Sequence, residues 1–393
     1  MLIKEIKLNN FLSFENSGAI ELGNLNVLIG PNGSGKSNLI EAIDLLHNAP
    51  IELTKPVREG GGVNDWIYKG TLGNGIASLD VVIDYSGHQR DGIRYVLAFS
   101  AANQRFNIRD ERIEAEKPDD NTHHNPYFYY RFNNGFPFIN VIEKDGNWSR
   151  RELKAEEIDF EKSVLSQRKD PDQYPEITYV GNSFSQIKLY REWSTGRYTV
   201  PRLPQKADLP NKFLQEDYSN LGLVLNRLRR DNNVKQHIIR VLNNLNPGVS
   251  DFDVQIEGGT VQVFLTENGF SIPATRLSDG TLRYLCLAAI LLSPNLPPLF
   301  CIEEPEIGLH PDVIGEIADM LRIASEKSQI IVTTHSDKLV DALSDLPESV
   351  LISENHNGSS VMKRLDKERL SGWLEKYRLG QLWMSGEIGG TRW

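Results

Sequence analysis

Leu25-Asn26-Val27-Leu28-Ile29-Gly30-Pro31-Asn32-Gly33-Ser34-Gly35-Lys36-Ser37-Asn38-Leu39-Ile40 decides the fold of this 393-residue chain. Apart from Asn26, its first five residues are apolar and rich in branched side chains, as a buried strand should be, and residues 38–46 space their apolar side chains as a helix does. Residues 30–37 fill every fixed position of G-x-x-x-x-G-K-[ST], within the strand–loop–helix context that pattern requires. Glycines let the backbone curl until the N–H groups of Asn32, Gly33, Ser34 and Gly35 converge on phosphate oxygens. Lys36 is placed to reach the outer phosphates and Ser37 to ligate Mg²⁺, while the helix N-terminus adds a favourable dipole. The expected ligand is a nucleoside triphosphate.

Composition sets the outer limits. Hydrophobic content of 39% and charged content of 24% suit an ordinary soluble protein with a large core. No apolar run approaches the roughly 20 residues of a membrane span, and the first residues lack a signal-peptide core, so a cytoplasmic protein without membrane contact is expected. Cys286 and Cys301 lie in apolar runs and read as inert core thiols in a reducing compartment. The net charge of -10 argues against a protein that coats nucleic acid. It leaves room for a local basic groove. Arg227, Arg229 and Arg230, followed by Lys235, His237 and Arg240, read as a solvated helix face, with a DNA contact as the other reading.

Along the chain, residues 1–8 and 19–22 read as strands leading into the loop. Pro50, Pro56 and Arg58-Glu59-Gly60-Gly61-Gly62 read as a flexible break. Residues 76–145 change to short alternating strands, with turns at Asn133-Asn134-Gly135 and Lys144-Asp145-Gly146-Asn147 and a polar loop over residues 114–125. From about residue 184 to 246 the pattern is helical, interrupted by Pro201, Pro204 and Pro210. Strand character returns at residues 261–265, and helix and strand alternate through Val350-Leu351-Ile352. No repeat and no coiled-coil heptad run is present. The expected division is 1–180, the first part of an α/β head with its antiparallel sheet; 181–250, a helical lobe; and 251–393, the second part of the head.

Three further stretches carry chemistry. Ser278-Asp279-Gly280 opens a helical run, and a serine and a glycine at a helix start form an anion site. The apolar strand 299–302 ends in Glu303-Glu304, at the strand end where ligands of α/β sheets collect. Alternation along the strand points the two acids differently. One can hold Mg²⁺ while the other polarises a water. After Gly308-Leu309-His310-Pro311, the buried strand 330–334 ends in His335, placed to sense a γ-phosphate.

In this order the residues resemble the ABC-type ATPase head, in the branch containing RecF, SMC proteins and the OLD nucleases. The resemblance covers the first 50 residues and roughly residues 270–340. It implies ATP and Mg²⁺ as cofactors and hydrolysis of ATP to ADP and phosphate. It also implies a homodimer or larger homo-oligomer, in which Ser278, Asp279 and Gly280 of one chain complete the nucleotide site of another. The tandem acids of such heads are usually Asp-Glu, and here the first is the longer Glu303; the resemblance implies Glu303 for the metal and Glu304 for the water. Gln167 is the candidate for the glutamine that reaches the metal. An OLD-type nuclease would need a further metal-binding domain after His335, and too few residues follow to hold one, so this chain is not expected to cut nucleic acid.

The stretch 380–393 holds Trp383, Trp393 and several glycines, and reads either as a docking peptide or as a segment packed on its own lobe. With the compact head it resembles stand-alone ATPases of bacterial anti-phage systems. The expected role is a regulatory ATPase restraining a separate nuclease or toxin effector. The alternatives are a RecF-like DNA-binding clamp and a nucleotide-binding scaffold with negligible turnover, which the two acids together argue against.

Overall fold

The computed structural model describes residues 1–70, 75–86, 91–118, 126–133, 135–142, 148–154, 156–159, 161–193 and 196–390. Largely apolar runs form the inner strands of a central six-stranded sheet among these residues. Its order is Lys188–Tyr190, Leu299–Glu303, Gln329–Thr333, Leu25–Ile29, Val350–His356 and Ser359–Arg364. The first five strands run parallel and the last antiparallel. A parallel strand covered on both faces buries every residue, and Leu25–Ile29 does so. Leu28, Cys301, Ile331 and Leu351 point into one apolar cluster; Val27, Phe300, Ile302, Val332 and Ile352 point into another. The two cysteines are free and buried on opposite faces, and burial pushes both thiols up from their ordinary range.

The first cluster is shared with an antiparallel sheet of nine strands among the described residues, running from Trp148–Glu152 at one edge to Phe14–Asn16 at the other. Helix Lys36–Asn48 contributes Leu39, Ile40, Ile43 and Leu46 to this layer. Gln329 stitches the two sheets. Its side-chain oxygen accepts from the Leu2 and Ile3 N–H groups at 3.1 and 2.8 Å, and its amide donates to the Ile3 carbonyl at 2.7 Å. The second cluster is covered by helices Asp279–Leu291, Ile314–Ser325, Leu221–Leu228 and Asn232–Leu245. The expected α/β head with a mixed sheet around the loop, an antiparallel sheet and helical cover is the fold observed. No helix among the described residues is long and apolar enough to cross a membrane.

Some expectations need correction. Residues 58–62 are the junction of two short helices, Lys55–Glu59 and Val63–Trp66, with left-handed turns at Gly61 and Gly62. Glu114, expected in a loop, is buried at the end of strand Arg105–Ala115 beside Arg94, because that ion pair satisfies its charge; residues 119–125 lie outside the described set. So do Asn134 and residues 144–147 of the expected turns. The helical lobe expected over 181–250 is narrower. Pro175–Ser185 straddles its start, Lys188–Tyr190 joins the central sheet, and helix resumes only at Leu221. Between them the chain runs through turns, a short 3₁₀ helix Val200–Arg202 around Pro201, and the two-residue strand Gln205–Lys206, because proline interrupts α-helix.

Candidate functional site

Strand register assembles the site. Glu303, Thr333 and Leu28 are partners across three adjacent parallel strands, so the loop after Ile29, the acids and His335 leave the same sheet edge. Gly30 has φ of 143°, and a Cβ there would lie 2.1 Å from the Ser353 carbonyl oxygen. Gly35, at φ 104°, precedes the helix and lies against Ser13 and Ser360. Both positions therefore require glycine. The Ser34 carbonyl accepts from the Ser353 hydroxyl at 2.7 Å, and the buried Ser34 hydroxyl has no partner among the described residues. Lys36 is buried, its Nζ donating to the Gly30 and Pro31 carbonyls at 2.8 and 2.9 Å, which holds the ammonium inside the curl. Asn32 and Gly33 are exposed at the loop tip.

Ser37 Oγ lies 3.4 Å from Glu303 Oε2. A hydroxyl beside a carboxylate is a hard-oxygen pair, and Mg²⁺ is commonly held by one or two such groups together with substrate phosphates. The residues present fit the ion. Glu304 departs from the strand, with φ of 47° in the left-handed region and its N–H donating to the Thr333 carbonyl at 2.9 Å. The strand ends at Glu303, so this backbone turn, and not strand alternation, separates the two acids. Glu304 Oε1 lies 3.6 Å from His335 Nε2. Backbone strain of this kind clusters at functional sites.

Sequence reasoning missed three residues here. Glu306 Oε1 accepts from the Thr334 hydroxyl at 2.6 Å and the His335 N–H at 2.9 Å, fixing the histidine's backbone. Burial pushes its carboxyl above the usual range, with those hydrogen bonds opposing. Arg191 Nε donates to Glu303 Oε1 at 2.7 Å, and the Trp193 indole N–H donates to the Glu303 carbonyl at 2.7 Å. A cavity of about 650 Å³ opens beside Glu303, lined by Glu41, Asp44, Arg191 and Glu216 among others. Burial, reinforced by Glu41 and Glu216 and opposed by Arg191, pushes Asp44 up to about 6. The acidic lining makes this cavity unsuited to a triphosphate.

Ser278 caps helix Asp279–Leu291, its hydroxyl accepting from the Thr281 N–H at 3.0 Å. Gly280 packs against the Gly308 carbonyl, which a Cβ would approach to 3.2 Å. Asp279, expected to face nucleotide, is paired with buried Arg202 and accepts from the Gly196 N–H at 3.3 Å. Ser278 and Asp279 are exposed, and these neighbours lie outside the phosphate loop. Gln167 is not brought into the arrangement. Its oxygen accepts from the Asp159 N–H at 2.6 Å, and its amide donates to the Asp159 and Lys162 carbonyls at 2.9 and 3.0 Å. A glutamine committed to its own turn is not placed as a metal ligand.

The fold and the common edge of loop, acids and histidine are those of an ABC-type ATPase head. Residues 25–341 match the family described as "AAA domain, putative AbiEii toxin, Type IV TA system", and the chain belongs to it. A segment of 43 residues is 51% identical to the DNA double-strand break repair Rad50 ATPase of Sulfolobus acidocaldarius, covering 11% of this chain and 5% of that protein. A segment of 90 residues is 34% identical to the chromosome partition protein Smc of Coxiella burnetii, covering 22% and 7%. The matches thus span less than a tenth of either relative. Two solved SMC heads share the fold, each with a TM-score of 0.56. One, bound to the C-winged helix domain of ScpA, is 14% identical over 93% of this chain and 99% of that one. The other, bound to the C-terminal domain of ScpA derived from Pyrococcus furiosus, is 12% identical over 96% and 99%.

Proposed function

We propose that this ATPase binds Mg²⁺ and ATP between two copies of the chain, and that the assembly so formed restrains a separate nuclease or toxin effector in anti-phage defence. One observation carries the shared site: the loop, Glu303, Glu304 and His335 meet on one edge, while exposed Ser278 sits among other neighbours, braced by Arg202. A signature held rigid and exposed away from its own loop suits completion of a second chain's site. The loop N–H groups and Lys36 bind the phosphates, and Ser37 and Glu303 hold the ion. Held there, Mg²⁺ would supply neutralisation of phosphate charge. Glu304 accepts the proton of the attacking water, and His335 beside it orients that carboxylate and contacts the γ-phosphate. Ser278 and Gly280 of the second chain contact the same phosphate.

The effector role is supported by the toxin–antitoxin description of the matched family. The clamp reading is supported by the names of the repair and partition relatives. The basic stretch does not favour it. Arg229 pairs with Asp253, Lys235 with Asp251, and Arg227 donates to the Asn211 and Lys212 carbonyls, so much of its charge is answered within the chain. Slow ATP turnover unchanged by duplex DNA, with a stable complex formed with the product of a neighbouring gene, is the expected result. Salt-dependent duplex binding that stimulates turnover would replace this reading with the clamp.

A further inference from the structure

Glu303 divides its two carboxylate oxygens between different partners. Oε2 lies 3.4 Å from Ser37 Oγ, on the side where the ion is expected, whereas Oε1 accepts from Arg191 Nε at 2.7 Å. The rest of the guanidinium is anchored to the helix that begins at the phosphate loop: one terminal nitrogen donates to Glu41 Oε1 at 2.6 Å, and the other lies 3.7 Å from Asp44 Oδ2. Ser37, Glu41 and Asp44 stand at i, i+4 and i+7, on one face of helix Lys36–Asn48. Arg191 follows Tyr190, the register partner of Ile302, so it reaches Glu303 from the adjacent strand. The Trp193 indole fixes the Glu303 carbonyl from the same segment.

A glutamate has one more rotatable bond than an aspartate, so its oxygen is less closely fixed by its backbone. A guanidinium fork is planar and rigid, and holding one oxygen determines where the other points. We infer that Arg191 is a positioning residue for the metal acid, clamping one oxygen of Glu303 so that the other meets the ion beside Ser37. The inference rests on the nucleotide reading above. The opposite role for the same contact is a competing cation that the ion must displace. The two roles differ in sign: losing a positioning group weakens metal binding, and losing a competitor strengthens it.

The test uses the full chain saturated with a non-hydrolysable ATP analogue, with Mn²⁺ as the probe and its affinity read by electron paramagnetic resonance. Arg191→Ala is expected to weaken Mn²⁺ binding by about 10- to 100-fold, the usual consequence of losing a group that orients a ligand, with partial recovery in Arg191→Lys. In a Glu303→Ala background the Arg191 substitution is expected to add no further loss, an outcome that general damage to the fold does not produce. Unchanged or tighter Mn²⁺ binding by Arg191→Ala, or full additivity with Glu303→Ala, overturns the inference. Should Arg191→Ala not fold, Glu41→Gln weakens the second anchor and is expected to give a smaller loss in the same direction; no loss there also counts against it. Failure of the wild-type chain to bind the analogue or Mn²⁺ overturns the nucleotide reading instead.

Discussion

Single residues define the chemistry most sharply at Glu304 and Lys36. Glu304 holds a backbone conformation that costs a non-glycine residue of order 1–3 kcal/mol, and it lies beside His335. Glu304→Gln keeps the shape and removes the base, so the variant should bind ATP, lose about 100-fold or more in turnover, and persist as the ATP-bound dimer. Steady-state phosphate release and native mass check both parts, and normal turnover would remove Glu304 from the mechanism. Lys36→Ala should instead lose nucleotide binding itself, measured by calorimetry. A third acid reports on stability. Glu111 is buried under the antiparallel sheet, accepting from the Tyr95 hydroxyl at 2.9 Å, the Ser163 hydroxyl and the Val164 N–H at 2.9 Å. Burial pushes it up from 4.5 to about 7, against those three bonds. A raised carboxyl pKa means the folded chain keeps a proton that the unfolded chain has released. Its contribution is therefore complete below about pH 4.5 and is lost as pH rises through about 7, by up to about 3 kcal/mol. Denaturant unfolding across this window should show a steeper loss in the wild type than in Glu111→Gln, which keeps the part of the slope that comes from other raised acids such as Asp44.

Elements show which parts of the site were legible in the sequence. Strands Leu25–Ile29, Leu299–Glu303 and Gln329–Thr333 are buried on both faces, so each announces itself as a largely apolar run, and each leads directly into functional residues: the phosphate loop, Glu303 and His335. Lys188–Tyr190 has three residues and no pattern, so the segment carrying Arg191 and Trp193 is invisible until the sheet places it. Arg191 meets Glu303 across 112 positions of sequence, and Arg202 meets Asp279 across 77; neither spacing has a local signature. Gln167 illustrates the converse error, since a lone glutamine in a polar turn is equally suited to capping that turn. The element beginning at Leu379 resolves one open choice. Trp383 is 2% exposed in the second apolar cluster, and its indole donates to the Gly390 carbonyl at 2.7 Å, so this part of the tail packs on its own lobe; Trp393 lies outside the described residues. Trp383→Ala should cost about 3–5 kcal/mol in denaturant unfolding. A Cβ at Gly390 would lie 2.8 Å from Ile352 Cγ2 and 3.6 Å from the Gly30 Cα. Gly390→Ala should therefore disturb the base of the phosphate loop and weaken nucleotide binding, whereas substitution of exposed Met384 should not.

For the whole molecule, the loop edge and the signature lie on separate surfaces, the arrangement on which the proposed shared site rests. The loop edge contributes Lys36, Ser37, Glu303 and Glu304; the signature contributes Ser278 and Gly280, held on a separate surface through Arg202 and the Gly308 turn. If each nucleotide lies between the loop of one copy and the signature of the other, two differently damaged chains can repair each other. Lys36→Ala destroys the loop half and spares the signature, while Ser278→Arg does the reverse. Each alone should be inactive. Mixed at equal concentration, half of the dimers pair one chain of each kind, and each such dimer holds one intact site and one doubly damaged site. Turnover should therefore return to about a quarter of the wild-type rate, provided the two sites of a symmetric dimer act independently. Strict dependence of one site on the other would lower that fraction but leave the mixed dimer visible by native mass in the presence of ATP. Neither recovered turnover nor a mixed dimer would mean that each chain closes its own site, and that the exposed signature serves a different partner.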